Sequence, residues 1–122
     1  MAHSRSSVPA EMPTYEEVRQ FALTLPGIEE GTSYGTPAFR VRGRFLGRLH
    51  DDGERLVLKI DLVEREALLQ MQPSTFTVTP HYEPYPLVLI RLETVDPQEL
   101  RELITEAWRQ EAPKRLVADF DG

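Results

Sequence analysis

The sequence predicts an α+β domain in which helices pack on one face of an antiparallel sheet. Apolar residues recur at helical spacing near both ends of the 122-residue chain. Between residues 37 and 60 they instead alternate with polar residues, as in strands with one buried face. No internal repeat or linker is visible, so we expect a single domain over residues 13–122, preceded by a flexible tail over residues 1–12.

Composition and charge exclude several kinds of site. The chain has no cysteine, which excludes disulfides, thiolate nucleophiles, iron–sulfur clusters and cysteine-based zinc sites. No apolar run approaches the roughly 20 residues of a transmembrane helix, and the N-terminal segment lacks the apolar region of a secretory signal. We therefore expect a cytoplasmic protein. Its net charge of −6 argues against indiscriminate binding to nucleic acid.

The first element in chain order is a helix that starts at Thr14. Thr14 and Glu17 have the spacing of a capping box, in which each side chain accepts a hydrogen bond from the other residue's backbone N–H. Apolar residues then recur every three or four positions until Pro26 and Gly27 end the run. The stretch PTYEEVRQFALTLPG is therefore predicted to form an amphipathic helix.

Three antiparallel strands are predicted next, in AFRVRG, RFLGRLH and RLVLKI. Turn signals at Gly43 and at Asp51-Asp52-Gly53 separate them. Alternation assigns one set of side chains to the buried face: Phe39, Val41, Phe45, Leu49, Leu56, Leu58 and Ile60. It assigns a positively charged set to the opposite face: Arg40, Arg42, Arg48, Arg55 and Lys59.

The remaining elements follow from capping residues and breakers. Asp61 caps a short helix, LVEREALLQM, which is followed by a strand TFTV, a loop TPHYEPYP and a strand LVLIRL. A long helix starts at Asp96 with Pro97 in its first position and ends at Pro113, and KRLVADF forms a last short helix. Trp108 lies on the apolar stripe of the long helix. One core is predicted to contain Phe21, Phe39, Val41, Phe45, Leu56, Leu58, Leu100 and Trp108.

Positive charge is concentrated on the central strands. Residues 38–60 carry six positive and three negative charges, a net of +3, whereas the rest of the chain carries eight positive and 17 negative charges, a net of −9. A polar, solvated face is the ordinary state of such a sheet. The alternative is that the guanidinium groups bind phosphates, for which their planar fork is suited. The candidate nucleic-acid-binding residues are Arg40, Arg42, Arg44, Arg48, Arg55 and Lys59.

Other polar groupings give weaker indications. His50 precedes two aspartates, but the following glycine indicates a hairpin turn rather than a metal site. The loop that contains His81, Tyr82 and Tyr85 is stiffened by prolines; it either covers the edge of the core or stacks on a flat ligand. The stretch GTSYGTP lacks the spacing and the lysine of a phosphate-binding P-loop. No catalytic constellation, metal site or cofactor is predicted.

Three stretches of this chain resemble the MmcQ/YjbR family of small bacterial proteins. They are LPGIEEGTSYGTPAFRVRGRFLGRL, LVLKID and DPQELRELITEAWRQEAPKRL. The resemblance runs from about Thr14 to Leu116 and implies a CyaY-like (frataxin-like) fold. Family members often have a tryptophan entering the strand that here begins YPLVLIRL, where this chain has Tyr85 and Pro86.

The resemblance also implies a function, because family members are commonly labelled DNA-binding on account of a double-wing arrangement of the fold. It supplies no catalytic residues, and iron binding does not follow from a shared fold. We therefore expect a non-enzymatic protein that binds DNA or another phosphorylated partner on the basic face of its sheet. The alternatives are an interaction or regulatory module with an acidic protein partner and, third, an enzyme acting on a small anionic ligand.

Overall fold

A computed structural model describes residues 13–122, so the tail predicted for residues 1–12 lies outside the described part of the chain. This part contains four helices: α1 (Tyr15–Ala22), α2 (Leu62–Met71), α3 (Pro97–Glu111) and α4 (Lys114–Asp121). Its strands are β1 (Ile28–Ser33), β2 (Thr36–Val41), β3 (Arg44–Leu49), β4 (Arg55–Lys59), β5 (Phe76–Thr77) and β6 (Leu87–Arg91). None of the helices within these residues is long and apolar enough to cross a membrane.

All six strands join one antiparallel sheet in the order β1-β2-β3-β4-β6-β5. The helices contribute to a single apolar core on one side of this sheet. The predicted α+β class with an antiparallel sheet is therefore confirmed. The predicted helix starts are confirmed as well: Thr14 and Glu17 form the reciprocal capping box, and Asp61 and Asp96 accept hydrogen bonds from the first turns of α2 and α3.

Strand β1 was not predicted, because its sequence IEEGTS has little β propensity. A tight hairpin turn at Tyr34 and Gly35 brings β1 beside β2, and both turn residues have positive φ angles, 53° and 82°. Arg42 and Gly43 form a similar turn between β2 and β3, with φ angles of 50° and 83°. Paired positive φ angles match the twist of two-residue hairpins. The assignment of Arg42 to a strand face was therefore wrong, since the residue lies in a turn.

A β-bulge in β3 decides which residues face the core. Phe39 pairs with Gly47 and Arg40 pairs with Phe45, so Leu46 is an extra residue between the two pairs. Leu46 is fully buried in the core, whereas Phe45 is directed to the same face as its partner Arg40. The prediction that Phe45 belongs to the core was wrong, because the bulge breaks the alternation on which it rested. Leu49 lies opposite Leu56 but is only half-buried.

Trp108 is the largest fully buried side chain and joins α3 to the rest of the core. Its indole Nε1 donates a hydrogen bond to the carbonyl oxygen of Pro26 at 2.8 Å, which ties α3 to the turn after α1. Its ring also packs edge-on against Phe120 of α4, with 5.0 Å between ring centroids. Two helices and the turn after α1 therefore meet at one side chain, and the predicted anchoring role of Trp108 is confirmed.

Replacement of Trp108 by alanine should lower the free energy of unfolding by about 3–5 kcal/mol, as expected when a large core residue is truncated. Replacement by phenylalanine should have a smaller effect, because most of the volume stays but the bond to Pro26 is lost. Urea unfolding monitored by circular dichroism measures both changes. A loss below about 1 kcal/mol for the alanine variant would contradict this account of the core.

Candidate functional site

The open face of the sheet, defined as the face that carries Arg40, Phe45, Val57 and Leu87, contains a groove of about 420 Å³. Phe45, Val57 and Leu87 supply apolar surface inside it. Ser33 also lines the groove, together with four ring side chains and two guanidinium groups: Tyr34, His81, Tyr82, Tyr85, Arg40 and Arg48. The groove therefore combines aromatic rings and positive charge, a combination suited to a flat anionic ligand.

Arg48 is buried at the wall of this groove, with only 4% of its surface exposed. Its guanidinium donates hydrogen bonds to the hydroxyl of Tyr82 (2.6 Å), the hydroxyl of Thr36 (3.0 Å) and a carboxylate oxygen of Asp51 (3.2 Å). It also lies 5.3 Å from the centroid of the Tyr34 ring. Arg48 therefore lies on the face that the alternation assigned to it, but the loop after β5 covers it, so it is not exposed there to an external phosphate.

Arg48 remains charged in this environment. Burial alone would lower the pKa of its guanidinium, but the hydrogen bonds to Tyr82 and Asp51 outweigh burial and raise the pKa above its ordinary value. The donors on both terminal nitrogens already have acceptors in the protein. Arg48 therefore acts mainly as an internal connection between β3, the Tyr34 turn and the Tyr82 loop.

Three further members of the predicted basic set are paired with carboxylates. Arg55 contacts Asp52 at 2.8 Å. Arg44 and Lys59 both contact Glu111 at the end of α3, at 2.9 and 3.3 Å. Partial burial tends to raise the pKa of Glu111, yet these two cations lower it below its ordinary value. The structure therefore does not present the predicted residues as one continuous basic face.

Arg40 and Arg42 differ from the other predicted cations. Arg40 lines the groove and donates one hydrogen bond, to the carbonyl oxygen of Thr32 at 3.2 Å. Arg42 is exposed at the neighbouring turn. Within residues 13–122 neither forms an ion pair with a carboxylate. Both therefore have guanidinium donors available to an external anion.

The loop over residues 78–86 is held against the open face from both sides. Tyr82 bonds to Arg48, as described above. From α2, the buried guanidinium of Arg65 donates to the carbonyl oxygens of Tyr85 (2.8 Å), Leu87 (3.1 Å) and Glu83 (3.1 Å). The predicted ligand loop of His81, Tyr82 and Tyr85 thus does line the groove. Tyr82 also covers Arg48, whereas stacking of this loop on a flat ligand stays a prediction.

Negative charge is concentrated on the opposite side of the protein. Glu64 of α2 and Glu99, Glu102 and Glu106 of α3 surround one hollow between these helices. Partial burial, followed by the nearby charges of Glu106, Asp61 and Glu99, raises the pKa of Glu64 above its ordinary value. The molecule is therefore polarised, and an anion meets the least repulsion on the open face.

His50 belongs to the turn between β3 and β4, as its sequence context predicted. Its Nδ1 lies 3.3 Å from a carboxylate oxygen of Asp52 and accepts a hydrogen bond from the backbone N–H of Asp52 at 3.4 Å. The Asp52 carboxylate also contacts the backbone N–H groups of Glu54 and Arg55 and the guanidinium of Arg55. In the part of the chain that the structure describes, no group of three or more potential ligands is placed to hold a metal ion. The contacts of Asp52 stabilise the turn.

Several residues of the site were missed by sequence reasoning. Tyr34 was considered only as part of the stretch GTSYGTP, and Phe45 was placed in the core. Arg91, which lies opposite Arg55 on the open face, was not singled out. Arg65 was read only as a position in a helix. A tyrosine in the first position of a two-residue turn was a usable signal for Tyr34, since Asn, Asp or Gly is preferred there.

Comparison with known proteins identifies relatives of this chain. The family model described as YjbR matches residues 23–110. Uncharacterised proteins of Mycobacterium tuberculosis and Mycobacterium bovis are 48% identical over 54 residues, or 44% of this chain, and the match spans 42% of the length of each of these relatives.

A solved structure shares the fold. The crystal structure of the Deinococcus radiodurans protein DR2400, described as a DUF419 domain, is 26% identical and has a TM-score of 0.70. The similarity covers 81% of this chain and 78% of that one. The family resemblance found in the sequence is confirmed by these matches.

Replacement of Asp52 by asparagine should lower the free energy of unfolding at pH 7 by about 1–2 kcal/mol. Partial burial opposes the charge of Asp52, but the N–H groups of Glu54 and Arg55 and the Arg55 guanidinium hold its pKa well below the usual range. The stabilisation is complete above the pKa of the unfolded chain, about 3.9, and is lost progressively as the pH falls below it. Urea unfolding of both proteins between pH 7 and pH 2 tests this; a difference that is independent of pH would contradict it.

Replacement of Arg65 by methionine should loosen the loop over residues 78–86. The methionine side chain keeps a similar length but cannot donate hydrogen bonds to the three carbonyl oxygens. We expect the free energy of unfolding to fall by roughly 2–3 kcal/mol. Hydrogen exchange of the Tyr82, Glu83 and Tyr85 amides, which bond within the loop, should accelerate more than exchange in β4. Replacement of the exposed Arg101 by methionine is the control. Unchanged protection of the loop amides would show that Arg65 does not position the loop.

Proposed function

Because the chain belongs to the YjbR family, whose members are commonly labelled DNA-binding, we propose that it binds nucleic acid on the open face of its sheet. The observation that carries the proposal is the groove itself, in which the guanidinium of Arg40 lies beside aromatic and apolar side chains. Phosphate groups and bases are the two parts of a nucleic acid that such a surface attracts.

The distribution of charge supports the same surface. The hollow between α2 and α3 is lined by four glutamates and would repel a phosphate backbone. On the open face, Glu29 lies opposite Arg40 and accepts a hydrogen bond from the backbone N–H of Gly43. The carboxylate of Asp52 is occupied by Arg55 and by the turn backbone. Arg40 and Arg91 are the cations of this face that form no ion pair within residues 13–122. Nucleic acid would therefore approach from the side of the sheet.

The proposed interface is smaller than the sequence alone suggested. Six cations were expected to contact phosphates, but one is buried and three are paired with carboxylates. Arg40, on the open face, and Arg42, at the turn after β2, remain from that set. Two phosphate contacts would contribute about −1.8 to the slope of log affinity against log salt for a duplex, or about −1.4 for a single strand. We therefore expect modest affinity that decreases as salt increases.

Replacement of both Arg40 and Arg42 by alanine should weaken binding to labelled oligonucleotides and flatten the salt slope by about 1.4–1.8, because each phosphate contact releases condensed counterions. The weakening should be similar for all sequences, since phosphate contacts position a ligand without specifying it. Fluorescence anisotropy over a range of salt concentrations measures both quantities.

The matched control is the double replacement of Arg101 and Arg115 by alanine. Both residues are exposed and form no ion pair within residues 13–122, and the replacement removes the same charge from the helical layer. This variant should bind with nearly the wild-type salt slope. The proposal fails if wild-type protein binds neither duplex nor single-stranded DNA at low salt, or if the two double variants behave alike.

A small anionic ligand is a second candidate for the same groove. Its volume of about 420 Å³ lies within the roughly 300–1,000 Å³ common for small-molecule sites. Calorimetry with free nucleoside monophosphates tests this candidate directly. If they bind as tightly as an oligonucleotide does, the groove is a small-molecule site and the phosphate chain contributes nothing.

A further inference from the structure

The most exposed large aromatic side chain of the described residues stands at the entrance to the groove. Tyr34 has 87% of its surface exposed, so burial of its ring contributes nothing to the stability of the core. It also adopts a φ angle of 53°, a left-handed conformation that is unfavourable for a bulky residue. Neither packing nor turn propensity explains a tyrosine here. Strained, exposed residues of this kind are characteristic of binding sites.

The Tyr34 ring is held from one side. The guanidinium of Arg48 lies 5.3 Å from the ring centroid and is itself fixed by Tyr82, Thr36 and Asp51. Because the residue is so exposed, the other surface of the ring is open to solvent. A flat group could stack on that surface, with the guanidinium on the other side of the ring. A ring that already has one contact loses less conformational entropy on stacking than a free one.

A second exposed ring lies in the same groove on a stiff segment. Tyr85 is 53% exposed and is flanked by Pro84 and Pro86, each of which fixes its own φ angle. Arg65 holds the carbonyl oxygens on both sides of this segment, as described above. The site therefore presents two accessible tyrosine rings in a preformed arrangement, above apolar surface from Phe45, Val57 and Leu87.

We propose that this groove takes an unpaired base, so that the protein binds single-stranded nucleic acid in preference to duplex. The inference rests on the proposed function and specifies its ligand. A base in a duplex has both faces covered by its neighbours and cannot stack on Tyr34, whereas a base in a single strand can. The guanidinium of Arg40, at the same groove, is available for the adjoining phosphate. Stacking is tolerant of sequence, so we expect little preference among bases.

The decisive variant is Tyr34→Asn. It removes the ring but creates an Asn-Gly pair, the preferred sequence for a two-residue turn with positive φ angles. The hairpin should therefore keep its stability or gain some, while affinity for a short single strand falls about 5- to 150-fold, the range expected for one stacked base. Tyr34→Phe retains the ring and should bind nearly as wild type does. Thermal melting of all three proteins establishes that the fold is intact.

The binding experiment compares labelled oligothymidylate with a duplex of equal length at low and moderate salt, using the wild type, both Tyr34 variants and the Arg40/Arg42 double alanine variant. The expected result is tighter binding of the single strand, lost in Tyr34→Asn and retained in Tyr34→Phe. Equal affinity for both forms, unaffected by Tyr34→Asn but weakened by the arginine replacements, would overturn this inference and leave the proposed function standing. Absence of binding to either form would overturn both.

Discussion

The bulge at Leu46 determines what each face of the sheet carries. A hydrophobic core on the helical side needs an apolar side chain from β3, and Leu46 supplies it as an extra residue between two register pairs. The additional residue turns Phe45 toward the open face, where its ring forms part of the groove. Arg48, two residues after Leu46, is directed to that face as well. One local departure from regular pairing thus creates both the filled core and the apolar floor of the candidate site.

Two buried arginines then complete the open face. Arg48 reaches it from β3 and Arg65 from α2, and both fasten the loop over residues 78–86. Burial of a charge is unfavourable unless the group is fully hydrogen-bonded, and here hydroxyl, carbonyl and carboxylate oxygens supply the acceptors. The two guanidinium groups therefore position the loop. This accounts for part of the arginine content of an acidic chain without any external anion.

The sequence contained enough information for most of the architecture. Capping residues such as Thr14 and Asp96 act locally, so their spacing alone located the helix starts. The predicted alternation of side chains between the two faces is correct in β4, because β4 pairs regularly with β3 and β6. The face of Phe45 was not accessible to the same reasoning, because a bulge depends on the pairing of two strands and leaves no periodic trace in either. Strand β1 was missed for a related cause: its pairing is imposed by the turn at Tyr34, against weak local propensity.

The candidate site was predictable only in its composition. The basic residues and the aromatic loop were identified from residue types, but their pairing was not. Glu111 is far along the chain from Arg44, with which it pairs in the fold, and nothing in the sequence indicates that α3 ends beside β3. Arg48 could be recognised as buried only when the position of Tyr82 was known. Long-range contacts of this kind decide whether a charged side chain is exposed or buried, and they depend on tertiary packing alone.

The two edge strands of the sheet lack the long, uncharged backbone edge that promotes aggregation. At one edge, β1 presents Glu29 and Glu30 together with a glycine, and Arg19 of α1 reaches Glu30 across its side. A strand from a second molecule could pair with this edge only by removing these charged side chains from water. At the other edge, β5 is only two residues long and offers little backbone for pairing. Neither edge is therefore a good template for growth of the sheet from one molecule into the next, which protects a protein with an open sheet from aggregation.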